Sequence, residues 1–263
     1  MIDTVIYSLI VGIAVGFSAG YLGSIMVLEK MALVGDAMSH VALPGLALGV
    51  LLGFNPLLGG FVFLFVSAII IWYLSRVTKL SFETLVGAAF TLALAIGILL
   101  YGDAGLGQLE TALFGDITKV DLTYAIVSVV AAIVVIFLTQ IIYKKIVLSL
   151  ISEELAKSKG INTALVNLLY LLLVSVTVAI GIQVTGTLLV GFLVVTPAAA
   201  ARTISGNLSR YLPLSAIFGA LSAISGIILS VTFNILPGPM IVISGVVIFA
   251  IALSYRRVKK LTI

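Results

Sequence analysis

Long apolar runs separated by short polar clusters fill the chain from end to end. They lie at about residues 4–28, 33–53, 56–76, 82–102, 121–143, 162–183, 186–200, 211–233 and 239–257. At 1.5 Å per residue, a helix of roughly 17–25 residues crosses the ~30 Å hydrocarbon layer of a bilayer, and every run but one has that length. The run at 186–200 is shorter and follows its predecessor almost at once, so a broken or half-depth helix is expected there. Turn chemistry falls between the runs: Asn55-Pro56, and Leu236 followed by Pro-Gly-Pro239. Ser81 is placed to cap the fourth run, with Glu83 in its first turn at the positive end of the helix dipole. Gly12, Gly16 and Gly20 recur every four residues on the first run, and Gly45, Gly49 and Gly53 on the second. Such small-residue stripes let neighbouring helices approach closely. Between runs, residues 144–160 set Ile146, Val147, Leu150, Ile151 and Leu155 against Lys, Ser and Glu, the pattern of an amphipathic helix lying on the membrane face and ending at Gly160. Glu153 and Lys157 within it are spaced for an i, i+4 ion pair. Residues 103–120 read as a long acidic loop carrying Asp103, Glu110 and Asp116, either simply solvated or a docking and cation-collecting surface. The expected architecture is all-α, a polytopic transmembrane helical bundle of eight or nine segments forming a single domain over residues 1–263.

Composition narrows the class. Of 263 residues, 62% are hydrophobic and only 9% are charged, against about 25% charged in soluble domains. Cysteine is absent from the sequence, which excludes disulfides, thiolate metal sites and thiol catalysis. No phosphate-binding Gly-x-x-x-x-Gly-Lys-Ser/Thr loop occurs, so ATP hydrolysis is not expected in this chain. The opening lacks a basic start and carries Asp3 early, so the first run is expected to be a span rather than a secretory signal.

The charge distribution accounts for the net +4. If the chain crosses nine times from an outside N-terminus, thirteen of the fourteen basic residues fall inside. These are Lys30, Arg76, Lys79, Lys144, Lys145, Lys157, Lys159, Arg202, Arg210, Arg256, Arg257, Lys259 and Lys260; Lys119 alone falls outside. Cytoplasmic loops of membrane proteins carry this excess. The basic character is therefore an orientation signal, not a nucleic-acid footprint, and a cytoplasmic C-terminus in a cell membrane is expected.

Two stretches carry candidate chemistry. In Met31–Gly45, Asp36 and the chain's one histidine, His40, stand four apart, one above the other on the same helix face. Pro44 has no N–H for the His40 carbonyl, which is expected to be a third polar group on that stripe. Oxygen and imidazole donors together suit Mn, Fe or Zn, and ionisable groups in a membrane segment mark functional positions because they are costly there. Glu83 is the third acid or base placed in a span; it either joins Asp36 and His40 or serves only to start its helix. The second stretch runs from Gly186 to Arg202, where Pro197 is expected to break the helix and Ala198–Ile204 to form a short separate helix.

Gly35-Asp36-Ala37-x-Ser39-His40 with Leu43-Pro44-Gly45, and Gly186 through Pro197-Ala-Ala-Ala-Ala-Arg202, together resemble the membrane permeases of the ABC-3 family. That family usually has Thr where this chain has Ala200. Leu113-Phe114-Gly115-Asp116 is similar to a further short family feature. The resemblance implies a type II ABC importer permease for zinc, manganese or iron. It implies that Asp36, His40 and Glu83 serve the metal. It also implies that Pro197, Ala198, Ala199, Ala200, Ala201 and Arg202 belong to a coupling helix near 198–207 that docks a separate ATPase. A homodimer embedded in lipid and an extracytoplasmic metal-binding protein are the other expected partners, with no nucleic acid and no permanently bound cofactor. The competing readings are an ATP-independent secondary transporter or channel, for which the two inverted halves with unwound helices are not found, and an intramembrane enzyme using His40 and Glu83.

Overall fold

The computed structural model describes residues 2–29, 31–104 and 106–261; Lys30, and the side chains of Asp103, Lys259 and Lys260, lie outside the described positions. Twelve α-helices follow one another with no strand among the described residues. They are α1 (Ile2–Leu28), α2 (Ala32–Val41), α3 (Leu43–Leu52), α4 (Pro56–Val77), α5 (Phe82–Ala104), α6 (Leu106–Phe114), α7 (Leu122–Ile151), α8 (Glu153–Ser158), α9 (Thr163–Thr185), α10 (Thr187–Ile204), α11 (Leu208–Phe233) and α12 (Pro237–Leu261). Eight spans are long and apolar enough to cross a membrane, α2 and α3 together making one of them.

Helix α10 is shorter and is not one of those eight. Its N-terminal turn at Gly186 packs on Leu113 and Phe114, at the end of the bundle where α1 begins. At its other end the Arg202 guanidinium donates to the Val27 carbonyl at the close of α1, at 2.8 Å. Thus α10 runs parallel to α1. The expected break is absent: Pro197 lies inside one continuous helix of 18 residues. The chain begins at the end of the bundle where α12 also begins, beside Phe114 and Thr185, so α12 finishes at the other end. The described basic residues other than Lys119 gather at the face where α1 ends.

Helices α1, α2–α3, α9 and α10 form the interior, and α4, α5, α7, α11 and α12 surround them. The most extensive seam joins α1 to α11. A Cβ on Gly16 would lie 2.4 Å from the Gly219 carbonyl oxygen, and one on Gly20 would lie 2.3 Å from that of Ser215. Backbones this close leave room for hydrogen at those positions and nothing larger. The Ser215 hydroxyl donates to the Gly20 carbonyl at 2.5 Å across the same seam. On the second stripe Gly45 and Gly59 abut in the same way, whereas Gly53 ends α3 in a left-handed cap.

Local signals explain many boundaries. Asn55 caps α4, Asp121 caps α7, Asn162 caps α9 and Asn207 caps α11, each side chain accepting a backbone N–H of the first turn. The Ser81 hydroxyl accepts from the Thr84 N–H at 3.2 Å, as expected for the start of α5. Two expectations fail. The supposed acidic loop is largely helical, as α6. The amphipathic segment at 144–160 is divided, because α7 continues to Ile151 and only the short α8 follows. Lys144 and Ile146 thus extend a spanning helix instead of starting a surface one. Within α8 the Glu153–Lys157 pair forms at 2.8 Å.

Candidate functional site

The second span is not one helix. It pauses at Ala42, between α2 and α3, where the His40 carbonyl faces the Ala42 N–H. The carbonyl expected to be free is therefore engaged locally. The Ser39 hydroxyl turns back to the Asp36 carbonyl at 2.6 Å, away from the Asp36–His40 stripe.

Asp36 and Glu83 line one cleft of about 240 Å³ between α2 and α5, with Leu33, Ala37, Val86 and Phe90 around them. Asp36 is half-buried and Glu83 exposed. His40 stands one helical turn above Asp36, with its ring edge-on to Phe90 at 5.1 Å between centroids. It is buried at 7% exposure, and its Nδ1 has no hydrogen-bond partner. A buried imidazole nitrogen left unpaired carries a desolvation cost, and neutral imidazole is in general a common metal ligand. The structure thus brings Asp36 and Glu83 onto one cleft and places His40 beyond Phe90. Among the described residues no group of three or more His, Asp or Glu is arranged to hold an ion.

The other half of the site comes from α10. A Cβ on Gly191 would lie 2.4 Å from the Asp36 Cα and 2.8 Å from its Oδ1. A Cβ on Gly35 would meet Val194 at 3.2 Å. The two sequence motifs therefore pack on each other, and Gly191 sets how closely α10 can press on the Asp36 backbone. Sequence reasoning passed over Gly191; its place inside the second motif was the available signal.

Pro197, Ala198, Ala200 and Ala201 are buried within the bundle, Ala199 is half-buried and Arg202 is exposed. No separate helix forms at 198–204: those residues complete α10, with Ala198, Ala200 and Ala201 turned into the bundle. The exposed segment at that end is the turn into α11.

At the opposite end, Leu113–Asp116 clasps the α9–α10 turn. Gly186 has φ +75°, and a Cβ there would lie 2.1 Å from the Leu113 carbonyl oxygen, so a side chain is excluded both by conformation and by space. The Asp116 N–H donates to the Gln183 carbonyl at 2.8 Å. Burial pushes the Asp116 carboxyl up, but hydrogen bonds from the Thr118 hydroxyl and N–H, with the Lys119 ammonium, outweigh it and hold the group below its ordinary value. A recess of about 810 Å³ opens beside it, bordered by Glu110, Thr4 and Asn234.

One acid went unremarked in the sequence. Glu29 follows α1 at the basic end, two residues beyond the carbonyl held by Arg202, and desolvation pushes its carboxyl up to about 7.

A multi-pass bundle of eight apolar spans, with Asp36 and Glu83 on one cleft and His40 buried beside it, is the architecture of a membrane transport protein. The chain belongs to the ABC 3 transport family, whose match runs over residues 1–256. It is 32% identical to the manganese transport system membrane protein MntC of Listeria monocytogenes over 93% of this chain and 88% of that protein. It is 30% identical to the high-affinity zinc uptake system membrane protein ZnuB of Haemophilus influenzae over 98% of this chain and 99% of that one. Among solved structures it superposes on a chain of PsaBC from Streptococcus pneumoniae in complex with Fab with a TM-score of 0.82 and 32% identity, covering 96% of this chain and 94% of that chain. The fold is also shared with an inward-facing putative metal-chelate type ABC transporter, at TM-score 0.77 and 18% identity, covering 97% and 85% of the two chains.

Proposed function

We propose that this chain is the permease subunit of an ATP-driven importer of a divalent metal ion, manganese or zinc before iron. Relatives named for manganese and zinc uptake support the cargo. The observation that carries the reading is the α2 stripe: Asp36 open to a cleft that it shares with Glu83, and His40 one turn above with Nδ1 unpartnered. An ion leaving water needs replacement ligands, and a transport site must also release its ion. Two or three protein donors completed by water fit that need better than a closed four-ligand cage. A single chain offers an incomplete set, which favours a homodimer with the path at its two-fold axis and the cleft facing it. The path residues are Asp36 and His40, with Glu83 at the cleft mouth.

ATP hydrolysis belongs to a separate subunit bound at the basic face. The docking element is the exposed turn from Arg202 to Arg210, backed by the buried alanines of α10 rather than formed by them. The N-terminus lies outside and the C-terminus in the cytoplasm. The acid-lined recess by Glu110 and Asp116 lies on the outer face, where an extracytoplasmic metal-binding protein would deliver cargo. Uptake of manganese or zinc into vesicles holding this chain, with and without a co-expressed ATPase subunit, tests the reading. ATP-dependent uptake is expected; equal uptake with no ATPase would establish the secondary-transporter alternative instead.

A further inference from the structure

Helices α7 and α11 both lie along α1 but do not pack on each other. Between them runs a furrow of about 730 Å³. Its floor is Phe17 and Tyr21 of α1, and its walls include Phe137 and Gln140 of α7 and Leu212 and Pro213 of α11. The Tyr21 hydroxyl donates to the Gln140 side-chain carbonyl across the floor, so these two polar groups satisfy each other, and apart from Tyr143 and Ser209 the remaining lining is apolar.

The furrow has a defined depth. Gln140 lies eighteen residues beyond the start of α7, about 27 Å along the axis at 1.5 Å per residue, near the inner limit of a ~30 Å hydrocarbon layer. The lining on α7 from Ile133 to Tyr143 thus covers roughly one leaflet, about 15 Å. Lys144 stands one turn past Gln140 on the same stripe, at the level of the headgroups, with Lys145 beside it. On the facing wall Arg210 and Ser209 open α11 at that level. Lys144, Lys145 and Arg210 are exposed, and none joins an ion pair among the described residues. Pro213 has no N–H, so the Ser209 carbonyl lacks its helical donor at the mouth of the furrow.

We infer that this furrow is a binding site for an anionic phospholipid. One acyl chain lies between α7 and α11, the phosphate sits between Lys144 and Arg210, and the Ser209 carbonyl accepts from a headgroup hydroxyl. Charge selects this occupant: basic groups at headgroup depth attract anionic lipid, and the apolar channel below them fits a chain. A second copy of the protein fits less well. The outer face of α7 is uniformly apolar through Val127, Val130, Val134 and Ile141, and α7 shares no packed interface with α2 or α5, where the ion cleft lies. Occupancy would tie α7 to α11 and hold the start of α11 in place.

Native mass spectrometry of the full chain from nanodiscs of phosphatidylglycerol or of phosphatidylcholine tests this directly. The wild type should retain phosphatidylglycerol in preference to phosphatidylcholine. Lys144→Gln with Arg210→Gln, both on exposed positions, should reduce that retention roughly tenfold or more. Ile136→Trp, which fills the furrow, should displace both lipids. If Ile136→Trp fails to fold, a photo-crosslinking residue at Phe137 gives the same answer, with lipid as the captured species. Equal retention of the two lipids unaffected by the charge changes, or capture of a second copy of the chain at Phe137, would overturn the assignment.

Discussion

Two helix pairs in this bundle treat polar groups in opposite ways. Along the α1–α11 seam, Gly16 against Gly219 and Gly20 against Ser215 bring backbones into contact, and the serine hydroxyl is paired at 2.5 Å. At these two contacts the hydroxyl is paired and no space remains, although Tyr211 near the start of α11 keeps a buried hydroxyl without a partner. Between α2 and α5 the packing opens into a cleft that two carboxylates line, and the imidazole above has a nitrogen with no partner. Small residues with every polar atom satisfied make a scaffold. The cleft between α2 and α5, where acids line open space, is where we propose that the ion passes.

The comparison breaks most visibly if the seam is crowded. Gly16→Leu or Gly219→Leu should destabilise the bundle by about 3 kcal/mol or more, since the obstructing atoms are backbone and cannot move aside. Expression level and thermal denaturation in detergent would read the loss. The cleft should respond in the opposite sense. Asp36→Ala or His40→Ala should leave the melting temperature close to wild type, yet lower ATP-dependent metal uptake by roughly tenfold or more through loss of a ligand. A Glu83→Gln change with normal uptake would assign that residue to the start of α5 alone.

Gly191 links the two regimes. A methyl group there meets the Asp36 backbone at 2.4 Å, so Gly191→Ala should shift Asp36 and cut uptake while costing about 1–3 kcal/mol. A variant with normal uptake would show that the α2–α10 contact does not position the acid.

The neighbouring alanines separate in the same manner. Ala200 is fully buried and Ala199 half-buried. Ala200→Trp should therefore unfold or displace α10, whereas Ala199→Trp should fold and report only on partner docking in a pull-down of the ATPase. Equal stability of the two would contradict the burial pattern.

The smallest effect concerns Glu29. Its folded pKa of about 7 lies above the ordinary 4.5, so the folded chain holds the proton longer than the unfolded chain does. Stability must then fall as pH rises from about 4.5 to 7 and level off above. Glu29→Gln should flatten that part of the melting-temperature profile; an unchanged slope would assign it to other groups.

Most of the bundle was legible in the sequence because bilayer thickness sets run length and capping residues mark the ends. The Asp36–His40 pair was legible because an acid and a histidine four apart in an apolar run have few structural excuses. Tertiary packing hid the rest. Pro197 did not end α10, since burial against α1 and α11 holds the helix through the missing hydrogen bond, and so alanines suited to a surface helix became interior ones. The division of 144–160 followed from α7 outrunning the bilayer, which local pattern does not reveal. Gly191 and Glu29 gain meaning only from what stands opposite them.

The central claim is that the α2 stripe is the ion path. It is tested most directly by reconstituting the Asp36→Ala, His40→Ala double variant with its ATPase subunit and measuring manganese and zinc entry into proteoliposomes. The account predicts a chain that inserts, dimerises and retains its ATPase, with metal entry reduced to the level seen without ATP. Entry at the wild-type rate would show that Asp36 and His40 are scaffold and that the ion crosses elsewhere.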